Sequence, residues 1–106
     1  MSRRSVKFTA KAKEDLRAIA VYTRQRFGAS QAKRYLTHIR ELCRRLADDP
    51  NLGRPEPGIK GIFRLELSST HRASHVLFFQ RTDRRVLVVR VLHTRMLPSG
   101  HLDPLE

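Results

Sequence analysis

The sequence predicts an α+β fold of order β-α-α-β-β-β, with a helical hairpin packed on one face of a mostly antiparallel four-stranded sheet. Two amphipathic stretches with helical spacing follow one another across a single glycine, which makes them an antiparallel pair. Three later stretches, dense in Val, Leu and Phe, have strand length and are separated by compact polar connections. With 106 residues there is chain for one core, since single cores usually span roughly 100 to 150 residues, so one domain over 1–106 is expected.

Each element follows from its own pattern. Ser5 to Phe8 alternates polar and apolar, a short strand with Val6 and Phe8 facing inward. Thr9 is placed to cap the helix that follows, because its hydroxyl can accept from the unpaired amides of a first turn. Ala12, Leu16, Ile19, Ala20, Thr23 and Phe27 recur at helical spacing, so a helix runs from Ala10 to Phe27. Gly28 ends it, and Ser30 is placed to cap a second one. Ala32, Tyr35, Leu36, Ile39, Leu42, Cys43 and Leu46 then form one apolar stripe, which stops near Asp48 because Pro50 biases Asp49 away from helical geometry.

Between Asp49 and Gly61 lie three prolines and three glycines, predicting an irregular surface loop. Phe63 to Leu67 alternates strictly, a half-buried strand with Arg64 and Glu66 outward and a turn over 68–72 behind it. His75 to Arg81 and Arg85 to His93 are strands joined by Thr82-Asp83-Arg84. Val86 to Val89 lacks alternation and therefore belongs to a central strand covered on both faces. From Thr94 onward there is no periodicity, and a loosely ordered tail over 95–106 is expected.

Lys and Arg number 22 against 10 Asp and Glu, a formal net charge of +12. Such an excess calls for an acidic partner, whether nucleic acid, anionic surface or acidic protein. No apolar run approaches the roughly 20 residues that span a bilayer, and the basic start has no apolar segment after it. A cytoplasmic protein without a membrane role is expected. A lone cysteine, Cys43, excludes an internal disulfide framework and sits on the apolar stripe, so core is its expected place rather than nucleophile.

Several stretches, taken in order, resemble the ParE branch of the RelE/ParE toxin superfamily. Phe8-Thr9-Ala10-Lys11-Ala12-Lys13-Glu14-Asp15-Leu16 is similar to the family's opening, and Tyr22 with Arg26-Phe27-Gly28 to the close of that helix. Asp49-Pro50-Asn51-Leu52-Gly53-Arg54-Pro55 resembles the loop after the second helix, and Phe63-Arg64 the step that opens the next strand. Arg90 to Met96 resembles the last strand and its exit, and Gly100-His101-Leu102 the tail; together the likeness covers residues 6 to 102. It implies a toxin of a type II toxin-antitoxin pair that inhibits DNA gyrase by binding. A cognate acidic, ParD-like antitoxin would neutralise it in a heterotetramer or larger complex.

RelE relatives cut mRNA on the ribosome, so cleavage is weighed against binding. Cleavage needs a base for the 2′-hydroxyl, an acid for the leaving oxygen and cations for the phosphate. RelE-like nucleases resemble one another in placing a tyrosine near the C-terminus, whereas Tyr22 and Tyr35 both fall in predicted helices. A binding toxin with no catalytic residue is therefore expected. In the alternative, an mRNA endonuclease, His93, Arg95 and Arg64 would carry the chemistry; a nucleic-acid binding module without toxicity is a third reading. His71, Arg72 and His75 cluster at a turn without the spacing of a zinc site, and no metal, cofactor or small-molecule substrate is expected.

For the target, Arg64 and Arg90 are candidates because alternation on a sheet half covered by helices would present them on the open face. The resemblance adds His93, Arg95, Met96 and His101. For the antitoxin, an amphipathic segment is expected to pack along Leu16, Ile19, Tyr22, Tyr35, Leu36 and Ile39, with acidic residues near Arg24 and Arg26.

Overall fold

A computed structural model of the chain describes residues 4–49, 51–68, 73–96 and 102. In chain order these form β1 (Ser5–Phe8), α1 (Ala10–Phe27), α2 (Ala29–Asp48), β2 (Arg54–Pro55), β3 (Phe63–Ser68), β4 (Ala73–Arg81) and β5 (Arg85–His93). The sheet runs β1-β5-β4-β3-β2, with β1 parallel to β5 and the other pairs antiparallel. The helical pair lies on one face of it, as the order of elements predicts.

The sheet has five strands rather than four. Within the expected irregular loop, Arg54 and Pro55 pair with Arg64 and Phe63. Proline cannot donate to a ladder, so it is tolerated here only because β2 is an edge with one neighbour. That addition carries no hydrophobic alternation, which is why the pattern does not reveal it. Of the predicted turn over 68–72, Ser68 is instead the last residue of β3, while 69–72, with His71 and Arg72, and most of the expected tail, including His101, lie outside the described residues.

Thr9 caps α1 as its position suggests: its Oγ1 accepts from the Ala12 amide at 3.1 Å and donates to the Val89 carbonyl at 2.8 Å. One hydroxyl thus starts the helix and ties it to β5. Ser30 does not cap α2, which already begins at Ala29. Gly28 serves both helices, donating to Arg24 O and accepting from the Ala32 amide. Its φ of 93° is open to glycine at little cost, so the reversal needs no intervening cap residue.

Two apolar clusters sit on opposite faces of the sheet. On the helix side, Ile39, Leu42, Cys43 and Leu46 pack with Leu67, Leu77, Phe79, Val86 and Val88. On the far side, Ile62, Val76, Phe78, Val89 and Leu92 are buried beneath Ile59 and Leu102. The second face is therefore partly covered by the chain's own loop, and the unalternating Val86 to Val89 run is explained: β5 is central and apolar on both sides.

One expectation is overturned at a bulge in β5. Phe78 pairs with Arg90 but Phe79 with Val88, so Val89 and Arg90 share one partner and the alternation slips by a residue. Register with Phe78 leaves Arg90 on the row of the far-side cluster, yet its guanidinium is taken up by Asp15 of α1 and is not offered on the open face. The Asp15 carboxylate accepts from Arg90 Nε at 2.8 Å, Arg90 Nη2 at 2.9 Å and the Val91 backbone amide at 2.9 Å. A bulge disrupts the ladder and needs a partner for the displaced backbone, and a carboxylate with four lone-pair sites provides it.

Candidate functional site

The last two turns of α1 carry large apolar side chains that no described residue covers. Tyr22 and Phe27 are 53% and 63% exposed, and Val21 beside them is exposed as well. They stand at the end of the hairpin next to the Gly28 reversal, over the far ends of β4 and β5. A cleft of about 270 Å³ opens there, lined by Tyr22, Thr23, Phe27, Gln31, Tyr35, His75 and His93. Arg26 lies over the Tyr22 ring at 5.6 Å, so the rim is both aromatic and cationic.

His75 and His93 are directly opposed across β4 and β5, with ring centroids 5.5 Å apart. The Tyr35 hydroxyl meets His75 Nδ1 at 2.7 Å. Burial first, and then the neighbouring His93, lower the His75 pKa from 6.5 to about 4, against a smaller opposing pull from Asp15. His75 is therefore neutral at physiological pH. His93 is exposed, and its Nδ1 accepts from the Arg95 backbone amide at 3.1 Å, which places the proton of the neutral ring on Nε2.

The expected site residues are gathered in a different grouping from the one predicted. Tyr22 and Tyr35, assigned to the antitoxin, share the cleft with His93, assigned to the target. Leu16, Leu36 and Ile39 line a separate cleft with Phe8, Arg17 and Arg40. Ile19 and Ile39 are buried, so they offer core more than contact surface. Arg24 and Arg26 end α1 exposed, as do Arg95 and Met96 beyond β5. Gln31, Phe27 and His75 escape the sequence reading because no local pattern links residues of a helix junction to a strand end.

Arg64 faces away from the helices, as alternation predicts, since it pairs in register with Phe78 of the far-side cluster. Its guanidinium is held by Glu56 at 3.0 Å and more loosely by Glu66 at 3.5 Å, and Glu66 also takes Arg54 at 2.8 Å. Glu56 is the nearly buried partner, so the contact of Arg64 with its strand neighbour Glu66 is secondary. His93 aligns through His75 with Leu67, three residues along β3 from Arg64 and on the other face, which is about 10 Å of strand. The residues named for cleavage, His93, Arg95 and Arg64, are thus not assembled around one point.

Cys43 is buried, and desolvation pushes its thiol up to about 11, so it is core and no nucleophile at neutral pH. Among the described residues no group of three or more His, Cys, Asp or Glu is arranged to hold a metal ion. Among them, too, no helix is long and apolar enough to cross a membrane.

Comparison with known proteins matches this architecture. Residues 6–98 fit the family described as ParE toxin of type II toxin-antitoxin system, parDE. The chain is similar to Toxin ParE1 of Caulobacter vibrioides, at 33% identity over 91% of this chain and 95% of that one. Among solved structures it resembles the chromosomal ParDE toxin-antitoxin system from P. aeruginosa, with a TM-score of 0.71, 25% identity, and coverage of 86% and 96%. The toxin-antitoxin complex RelBE2 from Mycobacterium tuberculosis shares the fold at a TM-score of 0.63 and 23% identity, over 91% and 97% of the two chains.

Proposed function

The chain belongs to the ParE toxin family of type II toxin-antitoxin systems, and from that premise we propose that it is a single-domain cytoplasmic toxin that inhibits DNA gyrase by binding. A cognate acidic antitoxin neutralises it in a heterotetramer or larger complex. The observation that carries binding over cleavage is the separation of Arg64 from His93 onto opposite faces of the sheet. Transition-state stabilisation of a scissile phosphate requires acid, base and cation around one atom, within hydrogen-bond reach.

The aromatic cleft at the hairpin end, with Arg95 and Met96 beside it, is the surface proposed for the target. Exposed aromatic anchors with a cationic rim are the features that concentrate binding energy at protein interfaces. Arg90, tied to Asp15, is left to stability. The test is supercoiling and DNA cleavage by purified gyrase with and without the toxin, and with Tyr22→Ala and Phe27→Ala variants. Inhibition by the parent protein and its loss in the variants is expected. An inert parent protein that still arrests growth would remove gyrase, and codon-positioned mRNA cuts that disappear in His93→Ala would establish the endonuclease instead.

A further inference from the structure

We propose that the β4–β5 hairpin end of the sheet, with the start of β1 beside it, binds the phosphate backbone of duplex DNA. This surface is separate from the aromatic cleft and does not depend on gyrase being the target. Thr82, Asp83 and Arg84 join the two strands, and residues 81–85 hold three arginines against one carboxylate, Asp83. Arg84 and Arg85 are exposed, and so is Lys7 on the neighbouring strand. Val6, Phe8 and Val86 pack into the helix-side cluster, so by the two-residue period Lys7 and Arg85 stand together on the opposite face. Lys7, Arg84 and Arg85 make no ion pair among the described residues.

The backbone that carries these charges is fixed. The Thr82 amide donates to the Arg85 carbonyl at 2.8 Å, and Thr82 Oγ1 accepts from the Arg84 and Arg85 amides at 3.3 and 3.1 Å. Arg4 Nε donates to the Thr82 carbonyl at 2.7 Å and the Ser5 amide to the Arg84 carbonyl at 2.9 Å, so β1 pins the turn from outside the hairpin. A hydroxyl that accepts from two amides still has its own proton to give, and Thr82 is exposed, which adds a neutral donor among the arginines. Guanidinium forks and hydroxyls are the groups that hold phosphate oxygens.

The surroundings select the partner. The exposed large apolar side chains among the described residues, Val21, Tyr22, Phe27 and Met96, belong to the other end of the sheet. Eight residue steps of β5 separate Arg85 from His93 there, about 27 Å of strand. An acidic protein would therefore find no apolar anchor at the hairpin end. A single strand would find no open ring on which to stack its bases, since the Phe63 ring lies beneath the Arg81 guanidinium at 4.0 Å. A duplex presents phosphates and needs neither. Double-stranded RNA is held through its 2′-hydroxyls across successive minor grooves over about 16 base pairs, a longer surface than the ends of three strands offer.

The test is binding of the full chain to a short labelled DNA duplex of mixed sequence, titrated at several salt concentrations. Neutralising roughly three to four phosphates should make log affinity fall with log salt at a slope of about −3. Arg84→Ser combined with Arg85→Ser should flatten that slope by about 2 and weaken binding by roughly tenfold or more at about 0.1 M salt, whereas lysine at both positions should keep the slope. Lys33→Ser combined with Arg34→Ser removes the same charge from exposed positions near the start of α2 and should leave slope and affinity nearly unchanged. Equal losses in the two serine pairs would mean attraction to net charge alone and would overturn the site. So would the absence of salt-dependent binding at about 50 mM salt. Tighter binding of single-stranded DNA or of RNA, or displacement of the duplex by an equal charge of polyglutamate, would assign the surface to another partner and overturn the proposal.

Discussion

The sheet contains two acid-arginine clusters with the same chemistry and different surroundings. At the seam between α1 and β5, Asp15 and Arg90 are 14% and 16% exposed and make a two-pronged pair, while the same carboxylate also holds the Val91 amide. At the β2 edge, Arg54 and Glu66 are 69% and 45% exposed and make a single contact. Water and salt screen the second pair; the first is screened little, and either member left alone would be a buried charge. An arginine's role in this basic protein is therefore set by the acid it meets and how deeply the pair is buried: Asp15 on α1 makes Arg90 a structural clamp rather than a contact residue.

The largest expected effect tests the clamp. Asp15→Ala removes one partner of a buried pair and strands the bulge amide, and should cost about 3 to 5 kcal/mol in chemical denaturation. Asp15→Asn keeps acceptor capacity for Val91 but loses the charge, and should fall between parent and alanine. If Asp15→Ala unfolds at the parent's midpoint, the difference between the two clusters is one of appearance only.

The next effect lies at the exposed cluster but concerns its backbone. Gly53 has a φ of 89°, and a Cβ there would stand 2.8 Å from Phe79 Cζ and 2.9 Å from the Arg64 carbonyl. Both a strained dihedral and a backbone clash would follow, so Gly53→Ala should destabilise by about 2 kcal/mol or more in the same assay. Near-parent stability would mean that the chain before β2 yields easily. The Arg54–Glu66 pair would then be held by nothing rigid.

The contrast also marks what residue patterns make legible. Helix limits, the Thr9 cap and the central place of Val86 to Val89 follow from local periodicity, because hydrophobic period and capping are properties of neighbours in sequence. The setting of the bulge at Val89 and Arg90 is not local: Asp15, 75 residues away in sequence, accepts from the Arg90 guanidinium and from the Val91 amide beside it. Glu14-Asp15-Leu16 is visible as a motif without revealing that its aspartate serves β5. The cleft of Tyr22, Phe27, Tyr35, His75 and His93 is hidden for the same reason, as it joins a helix reversal to two strand ends. β2 is unreadable because two residues carry no period.

Two smaller effects complete the ranking. His75, lowered to about 4 from 6.5, favours the folded state while neutral. Its contribution is whole above pH 6.5 and is lost as pH falls through the interval down to about 4, because the unfolded chain takes up the proton first. Partial exposure of the ring discounts the amount to about 1 kcal/mol. The urea midpoint of the parent should therefore drop between pH 7 and 4.5 by more than that of His75→Asn, and equal slopes would show that burial of the ring beside His93 does not hold it neutral. Smallest of all is Arg54→Ala, expected to change stability by about 0.5 kcal/mol or less. Its value is as the control for Asp15→Ala: Glu66 left behind remains hydrated and still within 3.5 Å of Arg64, so nothing is stranded. A loss in Arg54→Ala as large as that in Asp15→Ala would mean that the β2 edge, and not only the α1 seam, bears on the stability of the sheet.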